Sequence, residues 1–415
     1  MASMPCLRAG PSKKTIPESD FKMPTHNLLT STQIGPSLLR GFVELEQTEF
    51  GLLPHRLPAK ARAQSTDPQL AMAETEPSGV RLVFRTASTA IELDVLPTRR
   101  QIVGVPPRPA GVYDLCVNGR LEKQQSAEGA AILRIDMSSG TTVRDPGGVQ
   151  TLRFDGLTGD EKLVEIWLPH NEITELGALR TNAPVLAETA KNKPLWVHHG
   201  SSISHGSNAA SPTGTWPAIA ASVAGLELTN MGFGGSAMLD PFTARAIRDT
   251  PANMISIKIG INLVNADLMR LRGVGPAVHG FLDTIREGHP DTPLLVISPI
   301  YCPIHEATPG PGMFDLKALA KGETKFVALG KPEEVGSGKL TLTIIREHLK
   351  AIVEQRASGD PNIHYLDGLD LYGEKDHARL PLPDRLHPDA ETHRLIGDRF
   401  APILAEMVPL VENKT

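Results

Sequence analysis

The segment PLWVHHGSSISHG, residues 194–206, sets an apolar run directly before a turn that is crowded with serine and histidine. The run from Leu195 to His199 has the length and composition of a strand, and Gly200 marks its end. Two adjacent serines, Ser201 and Ser202, follow it. Ligands of parallel α/β sheets bind just beyond the carboxyl ends of the strands. The segment therefore predicts a strand of such a sheet with a candidate functional group at its carboxyl end.

The chain downstream of this segment alternates between strand and helix patterns. Further strands are predicted at 226–230, 253–259, 294–299 and 363–366, and helices at 216–224, 275–286, 342–355 and 389–407. Strands that alternate with helices predict a parallel sheet that is covered by helices on both faces. The fold class predicted for this half is therefore α/β, with three layers in the order α/β/α.

One connection in this half is unusually long. Residues 301–340 are rich in proline and glycine and lie between a predicted strand and a predicted helix. Connections of this length are commonly functional or disordered. We expect a lid or wall of the active site, and the alternative interpretation is a plain surface excursion.

The chain upstream of the segment has a different pattern, which consists of short strands without helices. Strands are predicted at 80–84, 90–95, 111–117, 130–137, 151–154 and 162–168, and clusters of Gly, Pro, Asn and Asp separate them. Regular short strands with turn signals predict an antiparallel β-sandwich, here of jelly-roll type. The predicted organisation is a mobile tail at 1–36, the sandwich at 37–180, a linker at 181–194 and a catalytic domain at 195–410.

Composition narrows the class of protein. The 415 residues are enough for two domains, and 40% hydrophobic residues are typical of proteins with buried cores. A formal net charge of -5 with both signs interspersed gives no electrostatic basis for binding nucleic acid or a membrane surface. The three cysteines match neither a metal site nor a disulfide framework. The sequence shows no secretory signal or membrane-spanning run, and we expect a cytoplasmic protein.

The C-terminal part of the chain offers a base and a carboxylate for a reactive serine. A serine hydroxyl becomes a good nucleophile only when a base takes its proton. PDRLHPD, residues 383–389, carries Asp384 three residues before His387. In a loop this spacing lets Asp384 hold the imidazole tautomer while the other ring nitrogen faces a serine. The alternative interpretation of this common pattern is a solvated helix cap.

Two further loops after predicted strands offer donors for the oxyanion that forms on an attacked carbonyl. NMGFGGSA, residues 230–237, contains glycines that permit close backbone approach and leave an N–H free to point inward. KIGIN, residues 258–262, sets the Asn262 side-chain amide at the end of another strand. Either loop alone is commonly a tight turn. Four such features, each at a strand end, predict an active site.

Together these residues resemble the SGNH hydrolases, also called GDSL esterases, whose four sequence blocks match in order within residues 195–407. GSSIS, residues 200–204, resembles the nucleophile block of that family. The resemblance implies a flavodoxin-like catalytic domain, and we expect neither a cofactor nor a metal. It implies a triad and an oxyanion hole with these members: Ser202, His387 and Asp384 for the triad, and Ser202, Gly235 and Asn262 for the hole.

Two positions depart from the family pattern. Ser201 and Leu263 stand where family members commonly have Asp. Both positions mainly shape loops in the family, so we expect catalysis to be retained. A shift of the loop by one residue would present Ser201 to the base instead of Ser202, and this alternative stays open. The nearby histidines match no metal-ligand spacing, and no metal is predicted among them: His198, His199 and His205.

The front half resembles the sandwich domain that precedes some SGNH catalytic domains. The resemblance rests on GVYDLCVNG at 111–119 and GFVELEQTEFGLLPHRLP at 41–58. We expect this domain to be a rigid wall of the substrate pocket, and a carbohydrate-binding module is the alternative.

The predicted function is that of a serine carboxylic-ester hydrolase acting on a small-molecule or sugar ester through an acyl-serine intermediate. The alternative is an acyltransferase, which would use the same site and move the acyl group to a hydroxyl of a natural product. Its second partner would be the acceptor alcohol. A non-catalytic carbohydrate-binding protein is the third hypothesis, and the complete set of catalytic residue types argues against it.

Overall fold

The computed structural model describes residues 29–136, 138–189 and 193–408. Four parts of the predicted domain organisation lie outside these residues. They are most of the predicted tail, residues 1–28, the last residue of the predicted strand 130–137 in the sandwich, the middle of the predicted linker, 190–192, and the end of the predicted catalytic domain, 409–410.

Two facing β-sheets form the first half of the described chain. In the described residues the larger sheet has the order β10-β9-β6-β13-β4-β3, with β1 on β13 and β11 on β6, and the smaller has the order β14-β5-β12-β7-β8, with β2 on β5. Their bounds are β1 (Thr30–Thr32), β2 (Leu39–Arg40), β3 (Glu44–Gln47), β4 (Leu52–His55), β5 (Arg81–Thr86), β6 (Ala90–Ile102), β7 (Val112–Val117), β8 (Arg120–Ser126), β9 (Ala131–Asp136), β10 (Thr141–Asp145), β11 (Gln150–Asp155), β12 (Lys162–Trp167), β13 (Ile173–Thr181) and β14 (Leu186–Ala187).

Alternating burial along the strands builds the core between these sheets. Ile91, Leu93 and Val95 of β6 are fully buried, while the residues between them are partly exposed. This period of two is that of a strand with one face on the core. The three side chains share a core cluster with Phe84 of β5 and Phe154 of β11. The predicted sandwich is therefore present. It departs from the predicted antiparallel order at β6 and β9, which pair in parallel.

Three details of the first half differ from the sequence-based expectation. Thr30–Thr32 pairs with β13, so the predicted tail ends before residue 36 because its last part completes a sheet. Strand β14 pairs with β5 inside the predicted linker. Two helices, α1 (Ala59–Arg62) and α2 (Pro68–Thr75), interrupt the strands where no helix was predicted. The sequence did carry a signal for α2, since Asp67 caps the helix and proline opens it.

A parallel sheet forms the second half. In the described residues its five strands have the order β16-β15-β17-β18-β21, which is flavodoxin-like. Its strands are β15 (Leu195–Gly200), β16 (Glu227–Gly232), β17 (Met254–Lys258), β18 (Leu294–Ile297) and β21 (Ile363–Leu366), and a separate hairpin consists of β19 (Gly312–Phe314) and β20 (Phe326–Ala328). The helices are α3 (Ser202–His205), α4 (Trp216–Ala224), α5 (Pro241–Asp249), α6 (Ile261–Ala266), α7 (Leu271–Gly288), α8 (Leu316–Leu319), α9 (Leu342–Ala357), α10 (Gly368–Leu371), α11 (Glu374–Arg379) and α12 (Ala390–Met407). None of these described helices has the length and apolar character that a membrane span needs.

The side chains of β15 indicate that helices cover both faces of this sheet. The Trp196 ring packs on Phe400 of α12, with 5.6 Å between the ring centroids. The His199 ring stacks on Phe281 of α7 at 5.7 Å. Side chains three positions apart on a strand point to opposite faces, so α12 and α7 lie on opposite sides of the sheet. The fold is the predicted three-layer α/β/α arrangement, and the loops after β15, β16 and β17 meet at one edge.

Candidate active site

The turn after β15 presents Ser202 at the first position of helix α3. Ser201 caps this helix, because its hydroxyl accepts a hydrogen bond from the backbone N–H of Ile203 at 3.4 Å. The turn requires glycine at position 200, since a side chain there would collide with the hydroxyl of Ser204. The hydroxyl of Ser201 therefore belongs to the turn, while that of Ser202 faces the loop that follows α11.

That loop supplies a histidine and a carboxylate in line with Ser202. The Ser202 Oγ lies 2.9 Å from His387 Nε2, and His387 Nδ1 lies 2.7 Å from Asp384 Oδ2. The second oxygen of Asp384 accepts hydrogen bonds from the backbone N–H groups of Leu386 and His387, at 2.9 and 2.7 Å. Burial alone would raise the pKa of the Asp384 carboxyl, but its hydrogen bonds and the nearby imidazole lower this pKa to about 2. Asp384 is therefore an ionised acceptor that fixes the ring with a proton on Nδ1.

Two residues that support this line have no motif in the sequence. The Asn208 side-chain amide donates to Asp384 Oδ2 at 3.1 Å. Phe326 of β20 donates its backbone N–H to the Asp384 carbonyl at 2.9 Å, and its ring meets the His387 ring edge-on at 5.5 Å. The long connection 301–340, which carries the β19–β20 hairpin, therefore packs against the catalytic loop as a wall.

The two glycine-containing loops place candidate oxyanion donors beside Ser202. The Asn262 Oδ1 accepts from the backbone N–H of Ala237 at 3.1 Å, so its Nδ2 is the atom left to donate. Gly235 has a φ of 78°, a backbone conformation that favours glycine, and within the described residues its N–H has no acceptor. A side chain at the preceding Gly234 would lie 3.7 Å from the Ser202 Cβ, so this loop borders the serine directly.

The three histidines of the opening segment are each engaged within the protein. His198 lies 2.7 Å from Ser256 Oγ and 2.8 Å from Ser204 Oγ through its two ring nitrogens. His199 donates from Nδ1 to the carbonyl of Met231 at 2.8 Å. His205 donates from Nε2 to the His170 carbonyl at 2.6 Å. Burial lowers the pKa of all three, that of His199 to about 4, so we assign them structural roles as neutral rings.

The front domain reaches the site through a buried arginine that sequence reasoning missed. The Arg56 guanidinium is fully buried and donates to the carbonyls of Asn230 and Gly232, at 3.0 and 2.6 Å, and to that of Ala73. Burial lowers the Arg56 pKa to about 10, and Glu76 and Glu74 oppose that shift. The arginine therefore stays charged at neutral pH and holds the end of β16, from which the glycine loop starts.

A cavity of about 400 Å³ opens between the two halves of the chain next to this site. Asn208, which lines it, donates to Asp384, and Gly234, which also lines it, belongs to the loop beside Ser202, so the cavity lies next to the serine–histidine line although Ser202 and His387 do not line it. The residues that line it from the front half include Arg100, Arg108 and His170, and those from the second half include Ser207, Asn208 and Gly234. The front domain thus forms a wall of this cavity, and its role in binding substrate stays a prediction.

Comparisons with known protein families show which domains the two halves of the chain resemble. The model of the GDSL-like lipase/acylhydrolase family matches residues 192–305, and that of the SsfX3 N-terminal domain matches residues 38–175. The chain therefore carries a GDSL-like lipase/acylhydrolase domain behind an SsfX3-type N-terminal domain. The first match contains Ser202, Gly235 and Asn262, and Asp384 and His387 lie beyond it. No curated protein matches the chain significantly.

Solved structures of similar proteins cover both domains. The salicylyl-acyltransferase SsfX3 from a tetracycline biosynthetic pathway is 28% identical over 92% of this chain and 99% of that one, with a TM-score of 0.74. A GDSL-like lipase from Bacteroides ovatus ATCC 8483 is 20% identical over 92% and 98% of the two chains, with a TM-score of 0.63. The acetyl xylan esterase Est2A from Butyrivibrio proteoclasticus is 10% identical over 93% and 100%, at 0.53. The last two indicate the shared fold alone, and the family as a whole comprises hydrolases and acyltransferases.

Proposed function

We propose that this protein is a serine carboxylic-ester hydrolase that works through an acyl-Ser202 intermediate. The observation that supports this most strongly is the unbroken line from Asp384 through His387 to the Ser202 hydroxyl, with distances of 2.7 and 2.9 Å. This line gives a weak nucleophile its base and gives the base its orienting carboxylate. The cavity beside it has room for a small-molecule ester.

The proposed reaction begins when Ser202 Oγ attacks the ester carbonyl carbon while His387 Nε2 takes the hydroxyl proton. The carbonyl electron pair moves to the oxygen, which receives hydrogen bonds from the backbone N–H groups of Ser202 and Gly235 and from Asn262 Nδ2. Collapse of this tetrahedral intermediate breaks the bond to the alcohol oxygen, which leaves with the proton from His387. Asp384 stabilises the imidazolium that exists between the two proton transfers.

The second half of the reaction returns the enzyme to its starting state. A water molecule attacks the acyl-serine carbonyl while His387 takes a proton from the water. The new tetrahedral intermediate expels Ser202 Oγ, which regains the proton from His387. The carboxylic acid then leaves the site.

Acyl transfer is the second candidate function, and it differs only in the acceptor. An alcohol in place of water would yield a new ester by the same steps. Two observations favour it: the similarity at 28% identity to a salicylyl-acyltransferase, and a cavity with walls from both domains, since exclusion of water from such a site would favour transfer. A purely carbohydrate-binding role is opposed by the intact catalytic line.

The test compares ester turnover by the wild-type protein and two serine variants. Chromogenic acetyl and butyryl esters are supplied with and without acceptor alcohols, and mass spectrometry quantifies acid and new ester. Ser202→Ala should lose at least roughly 10³-fold in kcat/KM, because the nucleophile is gone. Ser201→Ala, the matched control, should lose far less.

The product ratio separates the two candidate functions. Acid as the main product at millimolar acceptor supports hydrolysis, and new ester in excess over acid supports transfer. Absence of turnover in the wild-type protein, or full turnover in Ser202→Ala, would contradict both.

A further inference from the structure

Arg108 occupies an unusual position in the wall of the cavity. It lies in the proline-rich loop between β6 and β7, in the stretch PPRPA at 106–110, and lines the cavity. Arg108 is exposed to solvent, and within the described residues its guanidinium has neither a hydrogen bond nor an ion pair, so its five donors are free to bind water or a ligand. Prolines on both sides, Pro107 and Pro109, fix the backbone φ at their positions and restrict the loop.

The neighbouring charges do not neutralise this guanidinium. Arg100 points its own guanidinium at Glu76, at 2.6 Å, and Glu76 also lies 3.2 Å from His205 Nε2. The carboxylate of Asp384 is committed to His387 and Asn208. Burial and the charge of Arg100 lower the pKa of Arg108, yet a guanidinium remains protonated at neutral pH. The charged residues that line the cavity are Arg100, Arg108 and Glu76, which leaves one net positive charge in its wall.

A second polar side chain in this wall also has no partner. His170 lines the cavity, is only 4% exposed, and within the described residues neither of its ring nitrogens forms a hydrogen bond. Burial lowers its pKa to about 3, so the ring is neutral and carries one N–H donor. Buried polar groups without partners are rare in native proteins and call for an explanation. A bound ligand would provide one for His170, and the exposed Arg108 guanidinium would exchange water for the same ligand.

We propose that this cavity binds an anionic oxygen group of the substrate, a carboxylate or a phosphate, on Arg108 with His170 as a further polar contact. The inference rests on the proposed function, because the loop of Gly234, which lines the cavity, runs beside Ser202, and Ser202 would attack an ester or thioester carbonyl in the same molecule. Planar bidentate contact with such an anion is what a guanidinium provides best. The substrate class is therefore an acyl donor or acceptor that carries a negative charge.

The test measures charge preference as a ratio within one protein sample. Two substrates with six-carbon acyl chains are compared, neutral 4-nitrophenyl hexanoate and anionic 4-nitrophenyl hydrogen adipate. In Arg108→Gln the ratio of kcat/KM for the anionic to the neutral ester should fall about 10- to 100-fold, the range of one charge-assisted contact. Arg108→Lys should keep part of the preference, because it keeps the charge.

The matched control is Arg120→Gln. Arg120 is an exposed arginine of the same domain, at the start of β8, and does not line the cavity. Its substitution removes the same charge and should leave the ratio unchanged. Because each ratio is internal to one sample, a partly unfolded variant does not distort it.

Free anions show whether the cavity prefers a carboxylate or a phosphate. Inorganic phosphate and adipate are tested as competitive inhibitors of hexanoate hydrolysis, and the stronger inhibitor indicates the preferred chemistry. Hydrolysis of hexanoate with no Arg108-dependent preference and no Arg108-dependent inhibition would overturn the inference and leave the proposed function intact. If no ester is hydrolysed, the proposed function fails. The inference is then decided by calorimetry, which measures binding of the two anions to the wild-type protein and to Arg108→Gln. Binding that depends on Arg108 supports the inference, and equal or absent binding overturns it.

Discussion

Ser201 and Ser202 are neighbours in the chain, yet their hydroxyl groups have different partners. The Ser202 hydroxyl lies within hydrogen-bond distance of His387, whereas the Ser201 hydroxyl caps helix α3. Motif order predicted which distant residues belong beside Ser202. The loops of Ser202, Gly235 and Asn262 each follow a strand of one sheet, whereas Asp384 and His387 lie in the loop after α11, not at a strand end as expected. Motif order could not predict Arg56 or Asn208, since neither lies in a recognisable motif. Their roles arise only when segments far apart in sequence approach each other.

The first prediction at the scale of single residues concerns the Asn262 side chain. Its Oδ1 is held by the Ala237 N–H, which leaves Nδ2 for the oxyanion. Such a donor acts where charge develops in the transition state, so Asn262→Ala should lower kcat by roughly 10²- to 10³-fold with a smaller change in KM. Asn265→Ala is the control, since Asn265 lies on the same helix but bonds to His305. Steady-state kinetics with equal kcat in both variants would remove Asn262 from the proposed hole.

At the scale of secondary-structure elements, the sequence predicted the strands and helices whose apolar residues form a clear pattern and missed those without one. Strands β15 and β17 are short apolar runs that end at a glycine or just before one, and both were predicted. Strand β8, with the sequence RLEKQQS, was missed because its side chains are almost all polar and exposed. Helix α2 was missed because it is only eight residues long and lacks a clear apolar face. It matters for the site, since Gln69 at its start donates to the carbonyl of Gly234 at 2.7 Å.

Strand β7 carries the contact that ties the sandwich to the catalytic half. Asp114 is fully buried, and its Oδ2 accepts from Ser211 Oγ at 2.6 Å and from Thr213 through both N–H and Oγ1, at 3.0 and 2.6 Å. Asp114→Ala would leave several buried donors unpaired and should lower the free energy of unfolding by about 3 kcal/mol. Asp155→Ala removes an exposed carboxylate paired with Arg153 and should cost about 0–1 kcal/mol.

The measurement is a denaturant titration of both variants, followed by far-UV circular dichroism. A clear shift of the midpoint for Asp114→Ala, with little shift for Asp155→Ala, is expected. Equal midpoints would mean that the Asp114 contacts do not stabilise the junction.

At the scale of the whole molecule, residues of both halves line one cavity. The sequence indicated such a junction only through the resemblance of the front half to a domain that precedes SGNH catalytic domains. The structure supplies the physical reason, which is a set of buried contacts between residues more than a hundred positions apart. Ser78 donates to the His205 carbonyl at 2.6 Å, Arg81 pairs with Glu227, and Arg56 holds the end of β16. No periodicity or local motif encodes such pairs, so they could not be predicted from the sequence.

Buried histidines predict how the stability of the whole chain depends on pH. Burial lowers the pKa of His170 to about 3 and the pKa values of His199 and His393 to about 4. These rings are neutral in the folded chain, whereas in the unfolded chain they gain protons below about pH 6.5. The unfolded state therefore binds more protons, and stability falls as pH decreases from about 6.5 towards about 4. Each ring contributes up to about 1.4 kcal/mol per pH unit in that window.

The measurement is the thermal midpoint at about pH 7.5 and about pH 5. His199→Asn keeps a donor for the Met231 carbonyl but removes the titrating ring, so it should reduce the drop. His364→Gln, at an exposed position of β21, should leave the drop unchanged. Equal midpoints at both pH values in the wild-type protein would contradict this account.

The central claim, that His387 activates Ser202 as the nucleophile, is tested most directly by covalent labelling. The protein is treated with a fluorophosphonate, which reacts with serines activated by a neighbouring base, and peptide mass spectrometry locates the adduct. We predict one adduct per chain on Ser202, no adduct in Ser202→Ala, and labelling slowed by roughly 10³-fold or more in His387→Ala. An adduct on Ser201 or Ser204, or labelling that persists in Ser202→Ala, would contradict the claim.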